Sequence, residues 1–185
     1  NCRGQAMARF SSGNVPPAAA GEFTQEQIET CFADAVRDGE TDLVISFLDA
    51  GMSPDLRLEK GYTPLILASY NNHAGVVEQL LAHKAQPDLQ DEKGATALAG
   101  VAFKGFLPVA RLLLDAGASV DLANHVGRTP LMFAVMFGRV EMARLLLEAG
   151  ASPFLRDGEG LDSFELARRQ GNAALLACIQ AFQKQ

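Results

Sequence analysis

Several classes of chemistry are excluded by what this sequence has little of. Positive charge is short: 16 Lys and Arg stand against 22 Asp and Glu, a formal net charge of −6. Affinity for a nucleic-acid backbone rests on clustered Lys and Arg, so this balance argues against such a partner, though it leaves room for a local basic patch. Long apolar runs are lacking too. No segment approaches the roughly 20 residues that a helix needs to cross a bilayer, so no membrane partner is expected. The segment before residue 24 also lacks the apolar centre of a secretory signal. Cysteine is scarce: Cys2, Cys31 and Cys178 give no even framework and no metal-ligand spacing, and they read as buried or incidental thiols. That usage favours a reducing compartment and a cytoplasmic location, or a periplasmic one if a leader has been removed. The three histidines, His73, His83 and His125, fall at unrelated places. There is no Gly-x-Ser-x-Gly, no phosphate-cradling loop and no dinucleotide fingerprint. Expected catalytic, cofactor-binding and metal-binding residues are therefore none, and an enzyme is not expected.

What is present is order of a different kind. The chain has 185 residues, of which 48% are hydrophobic and 21% charged, enough for one domain with a sizeable core. Gly61, Gly94, Gly127 and Gly160 are 33 residues apart, as are Gly51, Lys84, Gly117 and Gly150. A fixed period of this size means one supersecondary unit stacked on copies of itself. After three of the first set comes a helix start: Thr63-Pro64-Leu65, Thr96-Ala97-Leu98 and Thr129-Pro130-Leu131. Thr caps such a helix, and Pro fits its first turn, where a missing N–H does no harm. A turn follows at Asn72, Gly105 and Gly138, and a second apolar helix is stopped by Lys84, Gly117 or Gly150. Lys at such a stop is strained if its φ is positive. Asp55, Asp88 and Asp121 also recur 33 apart, which points to turn hydrogen bonding rather than to a catalytic pair.

The words Gly61-Tyr62-Thr63-Pro64-Leu65 and Ala116-Gly117-Ala118-Ser119-Val120-Asp121 closely resemble the ankyrin repeat, over about residues 25–185. The resemblance implies an all-α repeat solenoid of about five helix-turn-helix units joined by β-hairpin loops, in the manner of small stand-alone, bacterial members of the family. Residues 24–57 form an N-terminal cap unit, 58–90, 91–123 and 124–156 regular units, and 157–185 a C-terminal cap. Thr24 with Gln27 reads as a capping box, and Asp162 replaces Thr as the last cap. Glu26, Glu29 and Thr30 give the first unit a polar outer face, as Arg168, Arg169, Gln180, Gln183, Lys184 and Gln185 do the last. Cys31 and Cys178 then lie in opposite end units. The family's usual His after Thr-Pro-Leu is replaced here by Ile66, Ala99 and Met132. Residues 1–23, rich in Gly, Ala, Ser and Pro, read as an extended arm, with Asn1–Ala6 a scar ahead of a native start at Met7.

By the same resemblance, the function is non-catalytic binding of another protein on the concave face and the hairpin tips. Aligning the units puts Tyr70-Asn71, Phe103-Lys104, Met136-Phe137 and Arg169 at the concave ends of the first helices, and Tyr62, His125 and Arg128 at the tips. Tyr70, Phe103 and Met136 are expected to stack one unit apart, with Phe137 beside them. Either these side chains tuck against neighbouring turns, or they stand as an exposed stripe rimmed by charge, the form of a protein-binding hot spot. Two further roles are open: an accessory or protective partner of a specific enzyme (catalase-associated or toxin-neutralising), and self-assembly with the Pro16-Pro17-Ala18-Ala19-Ala20 arm laid in a neighbour's groove; docking of Phe10 or Val15 onto the repeats is a separate way to hold the arm. A monomer or weak homo-oligomer is expected.

Overall fold

The computed structural model describes residues 23–183. The expectations for the N-terminal arm, including Cys2, Phe10 and Val15, and for Lys184 and Gln185 lie outside the described residues. Among the described residues ten α-helices follow one another: α1 (Gln25–Asp38), α2 (Thr41–Asp49), α3 (Pro64–Tyr70), α4 (Ala74–Ala82), α5 (Ala97–Lys104), α6 (Leu107–Asp115), α7 (Pro130–Met136), α8 (Val140–Glu148), α9 (Ser163–Gln170) and α10 (Ala173–Gln183). Each odd-numbered helix packs on the even-numbered one after it and on the next odd one, while the even helices form a second series behind. The core is one continuous apolar seam between the two series, from Phe32 and Phe47 at one end to Leu175 and Ile179 at the other. Such a stack buries each unit only against its neighbours.

The helix starts are local chemistry. Thr63, Thr96 and Thr129 are buried, and their hydroxyls accept the backbone N–H of Ile66, Ala99 and Met132 at 3.1, 3.2 and 3.3 Å. Thr24 and Asp162 cap α1 and α9 in full capping boxes with Gln27 and Glu165. Where the usual His is missing, the Thr129 backbone N–H instead meets the Met132 sulfur at 3.5 Å. The apolar replacements at these three places are buried.

Between units the chain folds back in a short, tight tip. Among the described residues there is no strand. Each tip closes on itself, as where Leu58 N–H donates to the Tyr62 carbonyl at 2.8 Å and Gly61 N–H to that of Leu58 at 3.1 Å, or Asp91 N–H to the Ala95 carbonyl at 3.0 Å and Gly94 N–H to that of Asp91 at 2.9 Å. Neighbouring tips are joined by single bonds, Glu92 N–H to Lys60 O, His125 N–H to Lys93 O and Gly158 N–H to Val126 O. The left-handed turn at each tip folds the chain back after one rung, so no ladder propagates. The recurring aspartates bond the next unit rather than their own turns, a correction to the expected turn hydrogen bonding. Asp55 accepts the N–H of Gln86, Asp88 that of Ser119, and Asp121 that of Ser152, each 31 residues on and one unit away.

Asn72 and Lys84, which stand where other units have glycine, lie in the left-handed region at φ 60° and 70°, and Lys60 joins them at 60°. A left-handed non-glycine residue costs about 1–2 kcal/mol. Lys84→Gly is therefore expected to raise the free energy of unfolding by about 1 kcal/mol, glycine's greater chain entropy offsetting part of the gain. Urea denaturation measures it, and an unchanged or lower midpoint would contradict the strain argument. Of the cysteines, Cys178 is free and buried, as expected. Cys31 is half-buried and disulfide-bonded, so the free-thiol expectation is corrected there.

Candidate functional site

The C-terminal ends of three odd helices, α1, α5 and α7, are each fastened to the unit after them. The carbonyl of Arg37 accepts from His73 Nε2 at 2.8 Å, that of Phe103 from Arg139 Nε at 3.1 Å, and that of Met136 from Gln170 Nε2 at 2.7 Å. The carbonyls at a helix C-terminus have no partner inside the helix, so a side chain from the next unit both satisfies them and sets the stacking register. His73 thus has a structural role, holding the end of α1 to the second unit.

This register brings three aromatic rings together. Tyr70 and Phe103 lie stacked, with centroids 6.4 Å apart and planes at 9°. Phe103 meets Phe137 edge to face, at 4.4 Å and 75°. Tyr70 and Phe137 stay 45% and 47% exposed, while Phe103 between them is half-buried. The ammonium of Lys104 sits 4.6 Å from the Tyr70 ring centre and 5.9 Å from that of Phe103, within cation–π range. Both earlier alternatives are therefore partly realised, since the rings pack on each other and still face solvent. The series runs Tyr70–Phe103–Phe137, not Tyr70–Phe103–Met136 as expected. Met136 packs against the core instead, and the one-residue step from α7 into its turn carries the ring outward.

The other expected residues are placed more widely. Asn71 is exposed and donates its amide to the Leu67 carbonyl at 2.8 Å, finishing α3. Tyr62 is half-buried and lines the groove beside Tyr70. His125 is exposed on its tip, and Arg169 is exposed on α9. Arg128 points instead toward Asp157, with Nε 3.8 Å from a carboxylate that is only 1% exposed. Asp157 turns its other oxygen to the N–H groups of Glu159 and Leu161.

A hollow of about 390 Å³ beside Tyr70 was not read from the sequence. Tyr62, Leu67, Tyr70 and Asn71 wall one side, and Ala95, Thr96, Ala97 and Gly100 the other. Comparison of the units could have shown it. Where the third unit has Ala95 and Gly100, the second has Tyr62 and Leu67, the fourth Arg128 and Phe133, and the fifth Leu161 and Leu166. Gly100 is the more telling because it lies inside α5, where glycine costs roughly 0.5–1 kcal/mol relative to alanine. A Cβ there would meet only Tyr70 Cδ2, at an ordinary 3.5 Å. Folding gives no reason for this glycine. An adjoining hollow of about 640 Å³ shares Arg37, Tyr62 and Leu67 and is lined by Glu26, Glu29, Asp34 and Glu59. Phe154 and Leu155, 60% and 41% exposed, were also missed; Phe154 replaces the recurring aspartate and rests 5.8 Å from Phe164.

Cys178 and His83 are shifted from their ordinary values. Burial pushes the Cys178 thiol above its usual range, which disfavours the reactive thiolate. The pKa of His83 is raised, first because Asp49 accepts from its Nε2 at 3.0 Å and next because the Gln79 carbonyl accepts from Nδ1 at 2.8 Å. Only the imidazolium donates from both nitrogens. With the folded pKa above the unfolded one, this link between α2 and α4 stabilises fully below about pH 6.5 and is lost as pH rises through the folded value. Asp49 is 66% exposed, so the effect should stay under about 1 kcal/mol. Thermal unfolding at pH 5.5 and 8.5 is expected to show a drop that His83→Gln abolishes; an equal drop in both proteins would place the sensitivity elsewhere.

Among the described residues, no group of three His, Cys, Asp or Glu could hold a metal ion, and no helix is long and apolar enough to cross a membrane. No curated protein matches the chain. The family model described as ankyrin repeats (3 copies) matches residues 32–124 and 71–157, which together span more than half of the chain. With its 33-residue period, Thr-capped first helices and stacked helix pairs, the chain belongs to the ankyrin-repeat family.

Proposed function

We propose that the chain is a non-catalytic binding module that grips another protein with the ends of its odd helices and the adjoining tips. Ankyrin repeats generally mediate protein–protein interaction. The observation that supports this surface is the Tyr70–Phe103–Phe137 series, apolar rings held in fixed register yet open to solvent. Tyr and Phe bury large area with little side-chain entropy to lose, which is why such clusters anchor interfaces. Tyr62, Asn71, Lys104 and Met136 adjoin them in this reading, with His125, Arg128 and Arg169 at its edges. The proposed domain is residues 24–185, divided after 57, 90, 123 and 156.

The test begins with identifying, by mass spectrometry, whatever co-purifies from the native source, and then measures its affinity directly. Changing Tyr70, Phe103 and Phe137 together to Ala is expected to weaken that complex at least 100-fold, because a hot-spot residue contributes about 2 kcal/mol or more. Circular dichroism should stay helical, since two of the three rings stand outside the core. Affinity that survives the triple change would move the interface elsewhere.

A further inference from the structure

We infer that the hollow beside Tyr70 is an anchor pocket that takes one large apolar side chain, leucine or phenylalanine in size, from a peptide segment of the protein partner. This rests on the protein-binding reading above and adds the chemistry of what enters. The hollow exists because the third unit lacks side chains that its neighbours have. Leu67, Phe133 and Leu166 occupy the place of Gly100 in the other units, and Tyr62, Arg128 and Leu161 that of Ala95. At Gly100 the deletion does not serve the packing: alanine would fit there in ordinary contact, and glycine weakens α5. A space kept open against the interest of the helix points to an occupant from outside.

The lining chooses the occupant. The walls are Tyr62, Ile66, Leu67 and Tyr70, and the far side is Ala97 and Gly100, so the interior is mainly apolar. At about 390 Å³ the hollow falls at the small end of the roughly 300–1,000 Å³ of ligand clefts, suited to one anchoring side chain and its backbone. Charge then orients the segment. On the side of the first unit, Glu26, Glu29 and Glu59 outnumber Lys60 along the neighbouring hollow, while Arg37 and Asp34 neutralise each other at 2.8 Å and Arg57 is held by the carbonyls of Gly61 and Gln90. On the opposite side stand Lys104, over the Tyr70 ring, and the exposed Arg139 and Arg169. The segment therefore carries Lys or Arg on the flank facing α1 and Asp or Glu on the flank facing Lys104.

A displayed library of random 12-residue peptides, selected on the whole chain, tests this. The recovered peptides should share a Leu, Ile, Met or Phe with a basic residue on one side and an acidic residue on the other. Fluorescence anisotropy then compares one such peptide on variants. Gly100→Leu and, separately, Ala95→Leu should each weaken binding about 30-fold or more by filling the hollow, and Gly100→Ala should leave it within about threefold. Leucine occupies the equivalent places in other units, and unfolding temperatures will show that both plugged variants fold. Gly100→Ala should raise the unfolding temperature by about 2 °C. Peptides weakened by the Phe103→Ala and Phe137→Ala pair but indifferent to both plugs would overturn the anchor pocket and leave the protein-binding face standing. Peptides indifferent to all these changes, or no recovered peptide, would overturn both. A shared Lys or Arg in place of the apolar anchor would overturn the assigned occupant.

Discussion

Leu113→Ala is expected to lower the free energy of unfolding by about 3–4 kcal/mol, as for a fully buried leucine whose cavity cannot collapse. Leu113 is completely buried on α6, which packs against α5 in its own unit and against α4 and α8 on either side. An end unit could relax toward solvent, but the middle one is enclosed by neighbours. The stack also transmits the loss, because adjacent units derive their stability from shared interfaces. Urea denaturation followed by circular dichroism measures it. A loss below about 1.5 kcal/mol would mean that α6 is not enclosed in this way.

Gly94→Ala is expected to be nearly as damaging, at about 2–4 kcal/mol, for two separable reasons. The residue sits at φ 79°, which an L side chain adopts at a cost of about 1–2 kcal/mol. In addition, its Cβ would come within 2.8 Å of the His125 backbone nitrogen, part of the bond to the Lys93 carbonyl that joins two tips. Backbone cannot swing aside as a flexible side chain can. Gly117 provides the control: φ is 88°, yet nothing lies within 4 Å of a Cβ there. Gly117→Ala should therefore show the conformational penalty alone, about 1 kcal/mol. Equal losses in the two variants would show that the tip-to-tip approach contributes nothing.

Much of the candidate site could be read in advance, and the reason is visible in particular residues. Tyr70, Phe103 and Phe137 were legible because the period fixes which residues end successive first helices. The expected stack nevertheless put Met136 in line, where the rings pass through Phe137. Sequence spacing gives the position along a helix but not the direction a side chain leaves it, and the turn after α7 rotates the next residue outward. Arg128 shows the same limit: its place on a tip was legible, its orientation toward buried Asp157 was not. The hollow escaped for another reason. It consists of side chains that are absent, and Ala95 or Gly100 draws notice only when set beside Tyr62 and Leu67.

The sequence by itself determined the unit, its repetition, the Thr and Asp caps and the places where the backbone turns left-handed. Those depend on a few residues close together in the chain, whose hydrogen bonds and φ angles need no distant partner. Only the tertiary structure decided how far one unit is shifted against the next, and with it the tilt of the Tyr70 and Phe103 rings, the bridges from Asp55, Asp88 and Asp121, and the space beside Tyr70. Each of these is a distance across the stack, set by how closely neighbouring helices can approach.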